Sequence, residues 1–316
     1  MNRHIAVVMD PIERIKPAKD TTFALMLEAQ RRGLRVHYVT PGSLGVRGGE
    51  ASARLAPIRV EDRDHEYFSL GEETLRPLRG LDAVLMRKDP PVDAQFIHDT
   101  QVLSMAEDAG VLVVNRPQGL RDLNEKLAAL LFPHCCPETL VSRNAADFKA
   151  FIREHGDVVV KPLDGMGGRS IFRIRQGDGN LNVILETLIG DGALTMAQKY
   201  LPEIRDGDKR ILLVDGEPVP YALARIPQGD EFRGNLAAGG RGEGRPLTER
   251  DRWIAAQVGP WLKARGMLFV GLDVIGDYLT EVNVTSPTCV RELDAQFGLN
   301  IAGLLLDAIE ARLDRK

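Results

Sequence analysis

The chain has 316 residues, 44% hydrophobic and 27% charged, with a net charge of −4. That length suits two or three globular domains. The mild acidity gives no general attraction to nucleic acid or to anionic membranes. No apolar run nears the roughly 20 residues of a bilayer span, and residues 1–4 lead straight into a core-type strand, so no signal peptide is expected. Cys135, Cys136 and Cys289 form neither a disulfide framework nor a zinc spacing. A reduced cytoplasmic enzyme is the expectation, with no nucleic-acid or membrane partner.

Residues 5–9 are an apolar run suited to a buried parallel strand. Asp20, Thr21 or Thr22 can cap a helix running to Arg32, and Gly33 ends it. Strands are expected over 35–39, 81–86 and 111–114, the last after a helix near 93–109. Strands alternating with helices predict a doubly wound parallel sheet. The first strand exits into Asp10-Pro11-Ile12-Glu13 without a Gly-x-Gly-x-x-Gly turn, which argues against a dinucleotide-dependent oxidoreductase. Residues 42–70 are rich in Gly and Arg with little periodicity and read as a surface excursion.

A boundary is expected near Asn115-Arg116-Pro117, before a helix carrying Asn124-Glu125-Lys126 and the apolar stretch 127–132. Val158-Val159-Val160-Lys161-Pro162 then reads as a buried strand tipped by a lysine, 164–170 as a glycine-rich turn, and 171–174 as a returning strand. Such a turn can lay backbone N–H groups over a polyphosphate. Lys161 would neutralise charge there, and Lys126 could reach in from the preceding helix. The Walker A pattern and the kinase catalytic-loop motifs are both absent. Beyond 196–201 come Asp206-Gly207-Asp208-Lys209-Arg210, a strand over 211–214, an Asp215-Gly216 turn and a return strand over 221–226. Residues 226–241, glycine-rich with few apolar anchors, read as a mobile lid that brings Arg233 and Arg241 over the reacting centre and excludes water.

Residues 272–283 read as a β-hairpin with the loop Gly276-Asp277-Tyr278. That loop sets Asp273 opposite Glu281, and the period of 2 puts Asn283 on the same face. No cation stands beside them in sequence. Two close carboxylates repel unless positive charge sits between them. A few hard oxygen donors with room for water and phosphate oxygens suit Mg²⁺. Hairpin and glycine turn together point to metal-plus-phosphate chemistry.

Eight runs, in this order, carry a resemblance over nearly the whole chain: Val8-Met9-Asp10-Pro11-Ile12, Met86-Arg87-Lys88-Asp89-Pro90-Pro91, Asn124-Glu125-Lys126, Lys161-Pro162-Leu163-Asp164-Gly165-Met166-Gly167-Gly168, Asp206-Gly207-Asp208-Lys209-Arg210, Ala224-Arg225-Ile226-Pro227-Gln228-Gly229, Asn235-Leu236-Ala237-Ala238-Gly239-Gly240-Arg241-Gly242 and Glu281-Val282-Asn283-Val284-Thr285-Ser286-Pro287-Thr288. The sequence resembles the ATP-grasp superfamily and, within it, the bacterial glutathione synthetases. The resemblance implies a mixed α/β and α+β fold: a Rossmann-like parallel-sheet domain (1–122), a central ATP-grasp lid subdomain (123–200) and a C-terminal ATP-grasp subdomain (201–316). It also implies a homotetramer, ATP as co-substrate, and Mg²⁺, with Mn²⁺ as its substitute. The family's reaction joins γ-glutamylcysteine to glycine through an acyl phosphate. Another ATP-grasp carboxylate–amine ligase, acting on a different peptide or amino acid, is the alternative.

By the same resemblance, Lys126, Lys161, Gly165, Gly167 and Gly168 contact phosphates, and Gln198, Lys199, Tyr200 and Leu201 meet adenine largely through main chain. Asp208 and Asn283 complete the nucleotide set, with Asp208 at the ribose. Asp273, Glu281 and Asn283 ligate Mg²⁺. Arg210 and Arg225 hold substrate carboxylates bidentately and, with Arg233 and Arg241, form the catalytic set. Lys19, Arg87, Ser286, Pro287 and Thr288 are further substrate contacts, whereas Cys289 is expected to be a buried structural thiol.

Overall fold

The computed structural model describes residues 3–165, 167–229, 234 and 240–315, and among them the strands form three sheets. In the first, β1 (His4–Val8) pairs in parallel with β2 (Arg35–Val39) across α1 (Thr21–Arg31). Asp20 caps α1 by accepting from the Phe23 N–H at 2.6 Å, and Gly33, at φ +78°, lets the chain leave it. Next come β3 (Leu44–Arg47), β4 (Glu50–Val60), β5 (Phe68–Leu70) and β6 (Thr74–Pro77). β7 (Ala83–Met86) then pairs in parallel with β1, and after α2 (Ala94–Asp108), β8 (Leu112–Val114) pairs in parallel with β7.

The expected parallel core is present, but residues 42–70 are not a surface excursion. β4 extends the sheet antiparallel to β2 and carries β3, β5 and β6 on its own edges. Its inward positions include Ala51, Ala53 and Leu55, then Ile58 and Val60, with Arg54 and Arg59 exposed. Small Ala and Ser residues among the arginines hid that period.

After α3 (Pro117–Asp122) comes α4 (Glu125–Ala129). The expected helix through 132 is shortened to this single turn. Asn124 lies outside it as its cap, accepting from the N–H groups of Lys126 and Leu127 at 3.1 Å, and Pro133 opens a 3-10 turn beyond it. The second sheet consists of β9 (Thr139–Ser142), β10 (Asp157–Pro162), β11 (Phe172–Arg175) and β12 (Thr195–Lys199), all antiparallel, with α5 (Ala145–His155) and α6 (Leu181–Ile189) on one face. Phe148, Ile152, Leu185 and Leu188 from the helices pack on Val158, Val160 and Ile174. The period of 2 therefore turns Val159 and Lys161 to the opposite face.

The third sheet, in the order β15-β14-β13-β16-β17, is built from β13 (Asp208–Val214), β14 (Glu217–Ile226), β15 (Arg241–Pro246), β16 (Phe269–Ile275) and β17 (Tyr278–Asn283). α7 (Glu249–Ala264), α8 (Val290–Phe297) and α9 (Ile301–Leu313) complete the chain. No helix among the described residues is long and apolar enough to cross a membrane. The first and third sheets share their core: Val8, Val84 and Leu103 lie in one apolar cluster with Leu272, Val282 and Val258.

Buried Asn115 locks those two sheets together. Its Nδ2 donates to the carbonyls of Phe269 and Val284, each at 2.7 Å, and its Oδ1 accepts from the N–H groups of Leu268 at 2.7 Å and Phe269 at 2.9 Å. Asn115→Ala should lower stability by about 2–4 kcal/mol, because it strands buried backbone groups as well as deleting bonds. Urea denaturation checks this, and a loss within experimental error would show that the amide is dispensable.

Candidate active site

A cleft of about 530 Å³ is walled by parts of all three sheets. Lys16 and Lys19, after β1, and Asp89 and Pro90, after β7, come from the carboxyl ends of parallel strands, where such sheets open to ligands. The glycine turn and β12 form one side, and the β16–β17 hairpin lies opposite.

The hairpin places Asp273 opposite Glu281, as the sequence suggested, but by a different route, and pairs Asn283 with Gly271. The turn is the two residues Gly276 and Asp277, because Tyr278 already pairs with Ile275. Without correction that register would set Asp273 opposite Thr280. A bulge opposite the Asp273–Val274 step makes Thr280 the extra residue, and its hydroxyl donates to the Asp273 carbonyl at 3.1 Å.

Positive charge reaches both carboxylates from distant parts of the chain. Arg210 on β13 grips Asp273 bidentately, Nε to Oδ1 at 2.5 Å and Nη2 to Oδ2 at 3.1 Å, and Arg225 on β14 adds Nη2 to Oδ2 at 2.9 Å. Gly271 makes room for this: a Cβ there would lie 2.8 Å from Arg210 Cδ. Burial works against ionisation of Asp273, yet the two guanidinium groups hold its carboxyl well below the usual range. Glu281 receives Lys126 Nζ at 3.4 Å and Lys161 Nζ at 3.6 Å, and these lysines likewise keep it ionised against burial. The same burial lowers the Lys161 pKa.

Lys126 Nζ also donates to the Gly165 carbonyl at 2.8 Å, and Asn124 Nδ2 to the Leu163 carbonyl at 3.3 Å. The start of α4 thus braces the glycine turn, where Gly167 and Gly168 take φ +66° and +77°. Gln198 donates to the Thr139 hydroxyl, and the Arg173 guanidinium stacks 3.5 Å from the Tyr200 ring centre.

Of the residues singled out in sequence, the cleft gathers Lys19, Lys126, Lys161, Gly165, Gly167, Gly168, Gln198, Lys199, Tyr200, Leu201, Asp208, Arg210, Arg225, Asp273, Glu281, Asn283, Ser286 and Thr288. Three others lie elsewhere. Arg87 is buried behind the wall, donating to the Pro287 carbonyl at 2.9 Å and the Thr22 hydroxyl at 3.1 Å; it holds the 286–288 turn in place. Pro287 contributes that carbonyl away from the cleft. Arg241 opens β15 with its side chain exposed and paired to Glu243 at 2.9 Å. Arg233 and most of the expected lid lie outside the described residues. Asp208, expected at the ribose, pairs through Oδ2 with Arg225, while its buried Oδ1 has no partner. Burial and the charges of Asp273 and Glu281 push its carboxyl upward.

Sequence reasoning missed Glu125, which accepts from the Thr285 hydroxyl at 3.0 Å and is pushed up to about 7 by burial and by the charge of Glu281. The acidic residue beside Lys126 was the available signal. It also missed Glu292 on the cleft wall. Among the described residues no three His, Cys, Asp or Glu side chains converge as a metal site; the third oxygen donor of the hairpin is the Asn283 amide.

The chain matches the profile of the prokaryotic glutathione synthetase N-terminal domain over residues 4–121 and that of the prokaryotic glutathione synthetase ATP-grasp domain over 125–298. It is 72% identical over 312 residues to a glutathione synthetase of Xanthomonas axonopodis pv. citri, covering 98% of this chain and 99% of the relative. The chain belongs to the prokaryotic glutathione synthetase family. A glutathione synthetase of Escherichia coli K12 is 59% identical over 314 residues, covering 99% of each. Among solved structures, D-cycloserine synthetase DcsG superposes with a TM-score of 0.68 at 16% identity, covering 98% of this chain and 99% of its own. The ATP-grasp ligase PsnB, complexed with a precursor variant, Mg and ADP, superposes at 0.62 and 18% identity, covering 98% and 99%. At these identities the two structures establish the shared ATP-grasp fold.

The lysine pair yields a pH prediction. Lys161→Ala leaves Glu281 paired with Lys126 and with only the more remote charge of Arg225 besides, so its carboxyl should titrate at a higher pH than in the unaltered protein. Side-chain ¹³C shifts followed against pH measure this, and an unmoved midpoint would mean Lys161 does not hold Glu281 ionised.

Proposed function

We propose that this chain ligates γ-L-glutamyl-L-cysteine to glycine with ATP, producing glutathione, ADP and phosphate. The observation that carries the reading is the division of one cleft. Two buried lysines meet Glu281 under a glycine turn at one end, and two buried arginines meet Asp273 beside it. One pair suits phosphate oxygens and the other suits a carboxylate.

A carboxylate is a poor electrophile. In the first step the cysteinyl carboxylate oxygen attacks the γ-phosphorus, and the bond to ADP breaks. The glycine nitrogen then attacks the carbonyl carbon of the acyl phosphate, loses a proton and expels phosphate. No side chain needs to act as a covalent nucleophile, so positioning and electrostatics carry the catalysis.

Lys126, Lys161 and the N–H groups of Gly165, Gly167 and Gly168 take the phosphates. The main chain of residues 198–201 takes adenine. Asp208 Oδ1, buried without a partner, can accept from a ribose hydroxyl. Asp273, Glu281 and Asn283 supply only oxygen donors toward the cleft, a set that fits Mg²⁺ or Mn²⁺. When bound, that ion offsets negative charge on the phosphate oxygens. Were Asp273 engaged by such an ion, Arg210 and Arg225 would be available to hold a substrate carboxylate. A homotetramer and a cytoplasmic location belong to the same reading, and light scattering on the purified protein tests the first.

ADP release should require γ-glutamylcysteine, glycine and a divalent cation together. Full release with glycine omitted, or equal rates with unrelated acid–amine pairs, would contradict the proposal. Arg210→Ala should raise KM for γ-glutamylcysteine by roughly 10–150-fold, the worth of one charge-assisted hydrogen bond, with KM for ATP little changed. A matching loss for ATP would make Arg210 a structural residue only.

A further inference from the structure

Glu292 lies on the cleft wall in the first turn of α8. Its place is firmly set. Cys289 just before the helix takes φ +88°, an uncommon conformation for a residue with a Cβ. The next N–H, of Val290, donates to the Thr21 hydroxyl of α1 at 3.3 Å. The neighbouring Arg291 turns outward to Asp62.

Glu292 differs from the acids that surround the hairpin and the glycine turn. Asp273 and Asp208 are engaged by arginines, Glu281 by lysines, and Glu125 by Thr285. Glu292 Oε2 is buried with no hydrogen-bond partner. Burial makes this carboxyl harder to ionise, while the charge of Lys19, also on the cleft wall, favours ionisation. Lys19 itself is exposed, and no hydrogen bond joins it to that oxygen. A buried carboxylate oxygen left unpaired is unfavourable unless a cation or donor arrives with the ligand. An acid and a base that share a cleft wall without closing on each other match a zwitterion, with the ammonium on the acid and the carboxylate on the base.

We propose that Glu292 binds the α-ammonium of the γ-glutamyl end of the dipeptide and, with Lys19, restricts substrates to those bearing a free amino-acid head group. This rests on the dipeptide reading above and adds a specificity-determining residue to it. Among the described residues, Glu292 forms no ion pair with the lysines or arginines assigned to the nucleotide and carboxylate, so its removal should alter substrate choice and leave nucleotide use alone.

The test compares kcat/KM for ADP release with γ-glutamylcysteine and with glutarylcysteine, which has the same carbon chain and no amino group, at saturating ATP and glycine. The unaltered protein should prefer γ-glutamylcysteine by roughly 10–150-fold. In Glu292→Gln that preference should collapse to a few-fold, with glutarylcysteine and the KM for ATP unchanged. Lys19→Met provides a second arm at an exposed site, where folding is not at stake. It should weaken γ-glutamylcysteine but not 4-aminobutanoylcysteine, which lacks the α-carboxylate. Preserved discrimination in Glu292→Gln, or equal losses with both substrates in either variant, would overturn this assignment alone. No ADP release by the unaltered protein with γ-glutamylcysteine would overturn the ligation reading and this assignment with it.

Discussion

Two carboxylates face each other on one hairpin, and the site depends on how their charge is balanced. Burying Asp273 and Glu281 a single cross-strand step apart is unfavourable both by desolvation and by mutual repulsion. The fold offsets this with four cations from four separate elements: Arg210 on β13, Arg225 on β14, Lys126 on α4 and Lys161 on β10. Each must arrive at the same face, which requires the second sheet and α4 to be correctly placed against the third sheet. Asn115, bridging the end of β8 to β16 and the residue after β17, and Arg87, holding the turn at Pro287, fix the first sheet against the third rather than serve the chemistry.

The balance is also what makes the cleft responsive. On the proposed reading, a cation bound at Asp273 would compete with the two guanidinium groups there and would leave positive charge next to the space where an anionic peptide would lie. Arginine suits such an exchange, since its planar fork matches a carboxylate on either partner. The lysines at Glu281 are compact charges on flexible stems and can turn toward phosphate oxygens without rearranging the strand.

Much of this was legible in sequence wherever the signal was local. Alternation in 272–283 gave the facing carboxylates, the Asp20 cap and Gly33 gave α1, and the lysine-tipped strand gave β10. The hairpin pairing came out right with the wrong turn, because a three-residue loop and a two-residue turn plus a bulge produce the same register beyond Asp273. What stayed hidden was non-local. No spacing rule connects Arg210 and Arg225 to a carboxylate more than 45 residues downstream, and nothing in 42–70 marked the long strand β4, whose inward positions are partly small residues. Glu292 was invisible for the same reason: that its Oε2 is buried without a hydrogen-bond partner is revealed only by coordinates.

The most direct test of the charge-exchange account is thermal unfolding of the unaltered protein and of Asp273→Asn, each with ATP alone and with ATP plus Mg²⁺. The unaltered protein should gain an additional rise in Tm only when both are present, and Asp273→Asn should keep the shift from ATP alone while losing that increment. An equal Mg²⁺-dependent increment in the two proteins would contradict the account.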